Sequence, residues 1–555
     1  MTRVNKSTRR FNNIILPLLF VIVTQRLQYR WDTTQDQRYT LNEKTKVLIS
    51  SLEKPIKIDV FLTGKLPANY LRLKREITTL IKSMEQHTDQ LIFSYVDPFE
   101  SGDSTDVLVG EMTQFGLTPD YITAKQNQAL EQTVIFPWAM VNYGNRAIRI
   151  PLLKKVLGDN EQQKINRSIA QLEFHFFEAI LQITQKQKSK LAVLTSHGTS
   201  EALKIADLVR SIQGYYQLAS FDLKALENDP NKTLENLKRF SLLIISNPSE
   251  PFNESEKYIL DQHLLNGGKQ LWAINAVAVN RDSLFNSNGS AVAIGRSLNM
   301  ESAFFKYGFR LKKNLIKDLY CAPIVLASGR QQQTQYLPYP WPYYLMAKPS
   351  DKNLFGFNSG NVLMPFSSTI DTLKSTLEKT ILISSSEFSK IQDIPVNVEL
   401  IEATEKLNPD EFNQESQTTG VLIKGKFSSA YENRVKPFKL DKEKISGESE
   451  MIIFSSGVIA ENQLDKGNPL ELGYDKWTNN FYYNKQFIQQ SIHHLMENQS
   501  LLTIQNKSLV ISHLDIEKVK NMSVILKTSL LMVPILILIL IGAIVHYLRN
   551  RRFGQ

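Results

Sequence analysis

The residues in this sequence whose types could do chemistry lie directly after apolar segments. Ser196, His197 and Gly198 follow one such segment, Asn275 follows a second and Ser456 follows a third. Open parallel α/β sheets bind ligands outside the carboxyl ends of their strands. These five residues are therefore the candidate contacts for a ligand or partner at one edge of a sheet.

A histidine beside a serine could serve as a general base. This supports one alternative, an envelope hydrolase or amidotransferase-like enzyme centred near His197. The turn Ser196-His-Gly-Thr-Ser-Glu201 pairs no acid with His197 locally, and no nucleophile–base pair is visible. The competing interpretation is a polar turn that caps the following helix.

An aromatic run, Tyr336-Leu-Pro-Tyr-Pro-Trp-Pro-Tyr-Tyr, contains two further candidate contacts, Trp341 and Tyr343. Tyrosine and tryptophan are enriched at interfaces, so the run could form a platform for a ligand or partner. More often such a run is a packed, rigid loop, and the sequence leaves both interpretations open. Its prolines indicate irregular, β-rich structure.

Several classes of enzyme are disfavoured by missing motifs. The sequence has no Walker A motif, no Gly-x-Ser-x-Gly elbow and no histidine pair at metal-binding spacing. Its one cysteine, Cys321, excludes a disulfide framework and is expected to be a packed small side chain. We therefore expect no catalytic residues, no cofactor and no metal.

The positive charge is concentrated at the two ends of the chain. The net charge is +10, of which residues 1–26 carry +5 and residues 518–555 carry +6, so residues 27–517 carry −1. A nucleic-acid-binding protein carries a basic face on its folded domain. We therefore expect no nucleic-acid partner.

Both ends also contain an apolar segment. Residues 528–548 lack Lys, Arg, Asp and Glu and are long enough to span a bilayer as a helix. Residues 11–25 are uncharged but shorter, and no small-x-small cleavage site follows them, which favours an uncleaved anchor over a cleaved signal peptide. Basic residues precede the first segment and follow the second, so both tails are predicted to be cytoplasmic and the main body extracytoplasmic. The lipid bilayer is therefore one expected partner.

The periodicity of the body predicts an α/β protein. A β-α-β pattern opens a first small domain, and later apolar strands alternate with helices as in a parallel, flavodoxin-like sheet that carries a β-rich insertion. The expected segments are a cytoplasmic tail and anchor (1–29), a first α/β domain (30–185), the flavodoxin-like domain (186–320 and 449–500), its insertion (321–448), a membrane-proximal linker (501–527), a transmembrane helix (528–548) and a cytoplasmic tail (549–555).

A series of motifs occurs in order from about residue 30 to the C-terminal apolar segment. They are Arg30-Trp-Asp-Thr-Thr…Gln37-Arg-Tyr-Thr-Leu, Phe305-Lys-Tyr-Gly…Lys317-Asp-Leu-Tyr-Cys-Ala-Pro-Ile, Trp341-Pro-Tyr-Tyr, Gly425-Lys-Phe-Ser-Ser…Asn433-Arg and Pro469-Leu-Glu-Leu-Gly-Tyr-Asp…Tyr483-Asn-Lys-Gln-Phe. Together they resemble the GldG family of gliding-motility-associated ABC-transporter auxiliary proteins of Bacteroidota.

The resemblance implies a non-enzymatic, substrate-binding-like auxiliary subunit anchored at both ends. Its partners would be a separate ABC permease, the ATPase of that permease, and other envelope motility components. It also implies a central domain similar to one in intraflagellar-transport proteins, with an amidotransferase-type sheet that lacks its nucleophile. The sequence departs from the family pattern at three strand ends: Ser196-His-Gly-Thr replaces Gly-His-Gly-Glu, and Asn275 and Ser456 replace aspartates.

Overall fold

The structure is a computed structural model that describes residues 40–553. Gaps in this range fall at 65, 102–103, 127–128, 154–159, 186, 226–227, 287–288, 329–333, 351–359, 499–500 and 502–521. The predicted N-terminal anchor lies outside the described residues. The described chain separates into two compact units, one that holds residues 40–501 and one that holds the C-terminal helix.

The described chain is a mixed α/β protein. Its α-helices are α1 (Glu43–Ser50), α2 (Ala68–Glu85), α3 (Thr105–Gln114), α4 (Glu161–Thr184), α5 (Ala206–Ile212), α6 (Pro230–Leu237), α7 (Glu254–Leu265), α8 (Arg281–Asn286), α9 (Glu301–Lys306), α10 (Asn484–Leu495) and α11 (Ser523–Phe553).

The strands of the amino-terminal half are short and mostly five to seven residues long. They are β1 (Ile56–Val60), β2 (Leu91–Tyr95), β3 (Asp120–Gln126), β4 (Ala129–Ile135), β5 (Trp138–Tyr143), β6 (Arg146–Pro151), β7 (Lys190–Leu194), β8 (Gln217–Phe221), β9 (Leu242–Ser246), β10 (Lys269–Ala273), β11 (Val277–Ala278) and β12 (Ser290–Gly295).

The carboxyl-terminal half adds longer strands and several short pairs. They are β13 (Phe309–Leu311), β14 (Asn314–Asp318), β15 (Cys321–Ser328), β16 (Gln335–Pro349), β17 (Val362–Pro365), β18 (Ile370–Thr372), β19 (Glu378–Ser384), β20 (Ser389–Asp393), β21 (Val396–Glu399), β22 (Thr418–Ser428), β23 (Ser446–Phe454), β24 (Leu464–Asp465), β25 (Asn468–Pro469), β26 (Tyr474–Asp475) and β27 (Asn480–Phe481).

The first sheet has four strands in the order β2-β1-β5-β6. Strands β1 and β2 are parallel and joined by α2, whereas β5 and β6 form a hairpin across Gly144. Helix α2 forms on this sheet because its apolar residues recur every three or four positions, so that Tyr70, Leu73, Ile77 and Ile81 are buried on one face. The predicted β-α-β unit is confirmed.

The second sheet has ten strands, and five consecutive members are parallel in the order β8-β7-β9-β10-β23. Every residue of β9 is buried, which suits a strand covered on both faces by other elements. Strand β23 joins this sheet beside β10 although about 170 residues separate the two strands along the chain. The late return of this strand to the sheet was predicted from the sequence.

Residues 321–448 are β-rich, and part of this segment continues the large sheet. Strand β22 pairs antiparallel with β23, β19 pairs with β22, and β16 pairs with β19. The aromatic run was expected to be irregular, and this is wrong because it lies within β16, a continuous strand of 15 residues. The prolines of this run occupy every second position of the strand, so all of them lack an N–H group on the same edge. The residues between them present their N–H groups on the opposite edge, where the strand pairs with β15.

The second unit contains α11, a 31-residue helix with Pro534 inside it. Its segment Lys527–Arg551 is long and apolar enough to cross a membrane, and all of its residues are exposed in the structure. An apolar helix that is hydrophobic on every side must be covered by lipid or protein. This helix corresponds to the predicted C-terminal segment.

Candidate functional site

The polar residues that follow β7, β9, β10 and β23 meet at one edge of the large sheet. In the parallel part of that sheet, the strand order reverses between β7 and β9. At such a reversal the connecting helices leave on opposite faces, and the loops diverge to form a crevice. Ser196, His197 and Gly198 lie on one side of this point, and Asn275 and Ser456 lie farther along the same edge.

His197 is buried, with 1% of its surface exposed, and both of its ring nitrogens have partners. Its Nδ1 lies 2.9 Å from Ser196 Oγ, and its Nε2 lies 2.9 Å from Glu256 Oε2. Its ring stacks on Phe252 with centroids 4.1 Å apart. The turn was expected either to cap the next helix or to form a site, but α5 begins only at Ala206 and has no side-chain cap. The capping interpretation is therefore wrong, and the partner acid comes from α7.

Glu256 joins His197 to the start of α7. The carboxylate accepts a bond from the backbone N–H of Asn253, whose side chain in turn accepts from the backbone of Glu256, which completes a capping box. Burial alone would raise the pKa of Glu256, but the hydrogen bonds from His197 and from the Asn253 backbone hold it below the usual value. This pair fixes the loop after β7 against the loop after β9.

The contacts of Ser196, His197 and Glu256 have the order of a serine–histidine–acid chain, but the serine is enclosed. Ser196 is 9% exposed, and its hydroxyl also accepts the backbone N–H of Leu223 at 3.2 Å. A catalytic serine needs an open approach for its substrate and donors for the oxyanion. The arrangement is therefore suited to holding the neighbouring loops together. Gly198, in the same turn, has a φ of +58° and lies close to the side chain of Ser249.

A second polar cluster lies at the point where the strand order reverses. We call it the Glu461 cluster, and it consists of Ser200, Asn247, Asn275, Arg296 and Glu461. Ser200 Oγ donates to Glu461 Oε1 at 2.7 Å, and Asn247 Nδ2 donates to the same oxygen at 3.0 Å. Asn247 Oδ1 accepts from Asn275 Nδ2 and from Arg296 Nη1, each at 3.2 Å. Desolvation lowers the pKa of Arg296, partly offset by Glu461, and an arginine remains charged under such conditions.

Asn275 and Ser456 occupy different environments. Asn275 Oδ1 accepts the backbone N–H of Gly457 at 2.7 Å, so the loops after β10 and β23 are joined. Ser456 is fully buried and donates to the carbonyl of Pro365. Of the predicted contacts at this edge, Asn275 thus belongs to the Glu461 cluster, whereas Ser456 is a structural residue. Sequence reasoning missed Glu461 and Arg296, which no motif marks.

The predicted aromatic platform does not form. Trp341 is 0% exposed and Tyr343 is 1% exposed, and both pack with Phe366 in a core between β16 and the neighbouring small sheets. The packed interpretation of this run agrees with the structure, and Trp341 and Tyr343 are not available as ligand contacts because their side chains fill the core. Cys321 is buried as expected, and burial together with Asp318 raises the pKa of its thiol to about 12.

An open cleft of about 400 Å³ lies beside Glu461 and the ends of these strands. Asp475 and Lys476 line it, and Trp477 forms part of its rim with 69% of its surface exposed. Lys476 Nζ lies 5.0 Å from the centre of the Trp477 ring. Among the residues that the structure describes, no group of three or more His, Cys, Asp or Glu side chains is placed to hold a metal ion.

The segment that forms this edge matches a known family. Residues 188–491, more than half of the chain, match the family model described as "ABC-type uncharacterized transport system". The chain belongs to this ABC transport auxiliary family. The match gives the protein an accessory role associated with an ABC transporter, and the apolar helix α11 indicates association with a membrane. The family segment contains all five parallel strands, together with Ser196, His197 and Glu461.

Other comparisons cover different parts of this ABC transport auxiliary protein. Residues 35–142 match a model described as "Domain of unknown function (DUF7088)". No curated protein matches the chain. A solved structure titled "mmIFT52 N-terminal domain" is similar over 56% of this chain and 97% of that chain, at 12% identity and a TM-score of 0.32.

Proposed function

We propose that the chain is a non-enzymatic auxiliary subunit of a gliding-motility ABC transporter of the GldG type in Bacteroidota. The observation that carries this proposal is the family match over residues 188–491 in a chain that also has an apolar helix of membrane-spanning length. The subunit would couple a separate permease and its ATPase to an envelope substrate or partner. Motion driven by ATP in those subunits would reach the body through its membrane anchors.

The proposed location is the inner membrane, with both tails in the cytoplasm and the body in the periplasm. Arg549, Arg551 and Arg552 follow the apolar part of α11, and four basic residues precede residues 11–25. Short flanks rich in lysine and arginine stay on the cytoplasmic side of a membrane. The charge of −1 on residues 27–517 supports a body that binds neither nucleic acid nor an acidic surface.

We infer that the body has a first α/β domain at 30–185 and a flavodoxin-like domain at 186–320 and 449–500, with 321–448 inserted. The parallel strands support this inference, because β8-β7-β9-β10-β23 is the order 2-1-3-4-5 when the five strands are numbered along the chain. The polar edge at the reversal of strand order, with its cleft beside Glu461, would then be the place where a ligand or partner contacts the subunit.

The test is purification of the tagged full-length chain from its native membrane in gentle detergent, followed by mass spectrometry and an ATPase assay. The wild-type chain should recover a multi-spanning permease and a nucleotide-binding subunit that accounts for the activity. The matched control replaces residues 530–545 with leucine and alanine, which keeps an anchor but removes sequence-specific helix packing. This variant should lose the permease. Recovery of the wild-type chain alone, or with envelope polymer fragments, would contradict the proposal.

One observation favours a second candidate, an envelope hydrolase or amidotransferase-like enzyme. His197 lies within hydrogen-bond distance of both Ser196 and Glu256, as a nucleophile–base–acid set requires. The burial of all three side chains opposes it. A fluorophosphonate probe labels activated serines. We expect no labelling of the wild-type chain, and labelling that disappears in Ser196→Ala would establish the enzyme.

A further inference from the structure

A small cavity lies beside the end of β10, next to the Glu461 cluster. Residues 296–304 and 310–313 form most of its wall. Its volume is about 50 Å³, and its wall is apolar where Ile274, Leu298, Met300 and Phe304 line it. We call it the Arg296 cavity, after the arginine that directly follows β12 and lines it. At about 10–15 Å³ for each water-sized group, it holds roughly three to five such groups. It is therefore too small for a folded partner or a sugar chain.

The polar part of the cavity is cationic. Arg296, Arg310 and Lys313 line it, against one acid, Glu301. Arg310 is paired with Asp371 at 3.3 Å, and Lys313 is paired with Glu301 at 3.4 Å. Two of the three cations are thus already balanced by carboxylates of the protein.

Arg296 differs from the other two cations. Within the described residues it has no carboxylate within 4.0 Å, and its side-chain hydrogen bonds all come from Nη1, which donates to Asn247 Oδ1 and to the carbonyl of Pro248. Its Nε and Nη2 therefore keep donors for an acceptor. A half-buried guanidinium with spare donors and no directly paired acid is costly unless an anion or water completes it.

We propose that the Arg296 cavity binds the carboxylate of a small organic acid or of an acidic side chain. The guanidinium is planar and its donors are parallel, so it suits a carboxylate, which it holds through two bonds. The apolar wall would take two or three carbons behind the carboxylate. A phosphate would need donors around all of its oxygens, and the apolar wall supplies none on that side.

The site would also connect a ligand to the polar edge of the sheet. Arg296 shares the oxygen of Asn247 with Asn275, and Asn247 donates to Glu461. A bound carboxylate would neutralise Arg296 and so weaken its attraction to Glu461. This proposal concerns the ligand chemistry of the body and does not depend on the transporter partners proposed above.

The test is calorimetric titration of the full-length chain in detergent with sodium butyrate, with N-acetyl-glutamate amide and with sodium phosphate. Butyramide has the shape of butyrate without the charge and serves as the ligand control. We expect butyrate to bind at least tenfold more tightly than butyramide. Preference for butyrate would indicate a free acid, and preference for the capped glutamate would indicate an acidic side chain of a partner.

Two variants of residues that line the cavity should affect butyrate affinity differently. Arg296→Gln should weaken butyrate binding at least tenfold, whereas Glu301→Gln should retain or tighten it, because it removes the one acid that lines the cavity. Arg434→Gln, which replaces an exposed arginine elsewhere, should leave it unchanged. A circular-dichroism melt of each variant shows that it is folded. Equal binding of butyrate and butyramide, preference for phosphate, unaltered affinity in Arg296→Gln, or equal losses in both cavity variants would each overturn the proposal.

Discussion

At the scale of single residues, the bonds around His197 show how a buried polar group is stabilised. Its ring is enclosed by Phe252 on one side, and both nitrogens find partners within 2.9 Å. A buried donor or acceptor that loses its partner costs about 1–3 kcal/mol. The hydrogen-bond chain of Ser196, His197 and Glu256 is therefore expected to contribute to stability more than the surface ion pairs around it.

Glu256→Ala tests this expectation, because it removes the partner of His197 Nε2 and half of the capping box with Asn253. We expect the free energy of unfolding to fall by about 1–3 kcal/mol, measured by urea denaturation with tryptophan fluorescence. The control is Glu250→Ala, because Glu250 pairs with Lys224 at the exposed surface of the same loop. That variant should unfold like the wild type. Equal stability of both variants would show that the buried chain contributes nothing.

Two other buried histidines make stability depend on pH. Desolvation lowers the pKa of both His263 and His493 to about 4, although the Phe240 carbonyl and Glu178 respectively oppose the shift. In the unfolded chain a histidine has a pKa near 6.5. The unfolded state therefore binds more protons between these values. Stability contributed by the neutral rings is complete above about pH 6.5 and is lost as the pH falls toward 4.

We expect the free energy of unfolding to decline by up to about 1.4 kcal/mol per pH unit for each of these histidines within that window. His263→Gln should reduce the slope of the unfolding free energy against pH, between pH 5 and 6.5, by up to the contribution of one histidine. This reduction is expected whatever the substitution does to the stability at pH 8. The comparison is His87→Gln, which changes an exposed side chain and should keep the wild-type slope. Denaturation series at several pH values measure it. A slope unaltered in His263→Gln would refute the assignment.

At the scale of elements, α11 is the one described helix with a composition suited to lipid. Its apolar part extends through Leu538 at the centre to Leu548 near the arginines at its end. A lysine at the centre of a spanning helix costs about 2.5–3.5 kcal/mol, whereas a lysine near the end reaches the interface with its long side chain. Position within the helix, rather than charge alone, should decide insertion.

Leu538→Lys should reduce membrane insertion of residues 523–553, and Leu548→Lys should leave it near the wild-type level. Glycosylation sites placed on either side of the segment report insertion into microsomes. If the wild-type segment fails to insert, α11 is a helix that must be covered by protein. If both lysine variants insert equally, the apolar stretch is longer than the span it needs.

At the scale of the whole molecule, helix α4 joins the two large sheets of the body. Phe176, Ile180 and Ile183 pack into the core of the four-stranded sheet, whereas Phe177 packs into the core of the ten-stranded sheet. Tyr215, which follows α5, also donates a hydrogen bond to Glu178 of α4. A helix with two apolar faces and buried polar bonds gives the body a rigid junction.

Phe177→Ala should loosen this junction, because truncation of a buried phenylalanine costs about 3–5 kcal/mol. Native-state trypsin digestion should then cut faster at Lys188, between α4 and the first residue of β7. The control is Phe388→Ala, which removes a side chain that is 60% exposed. Cleavage at the wild-type rate in Phe177→Ala would show that the two sheets are held together by other contacts.

Local patterns in the sequence predicted those helices and strands that are specified by a few consecutive residues. Apolar patterns predicted the β-α-β unit, the parallel strands and the helix α11, because burial of one face or of a whole segment is recorded within a few consecutive residues. Periodicity did not separate buried from exposed aromatic side chains in residues 335–349. An alternating strand has two faces, and only the packed core shows which of them Trp341 and Tyr343 occupy.

The partners at the polar edge were decided by the tertiary structure alone. Glu256 lies 59 residues from His197, and Glu461 lies 261 residues from Ser200. A hydrogen bond depends on a few ångströms of distance, and these distances follow from the order in which β7, β9, β10 and β23 join one sheet. By itself, the sequence determined which residues end the strands, the lack of recognised catalytic motifs and the apolar end of the chain. The sheet order decided which of those residues touch, because parallel strands bring distant segments together at one edge.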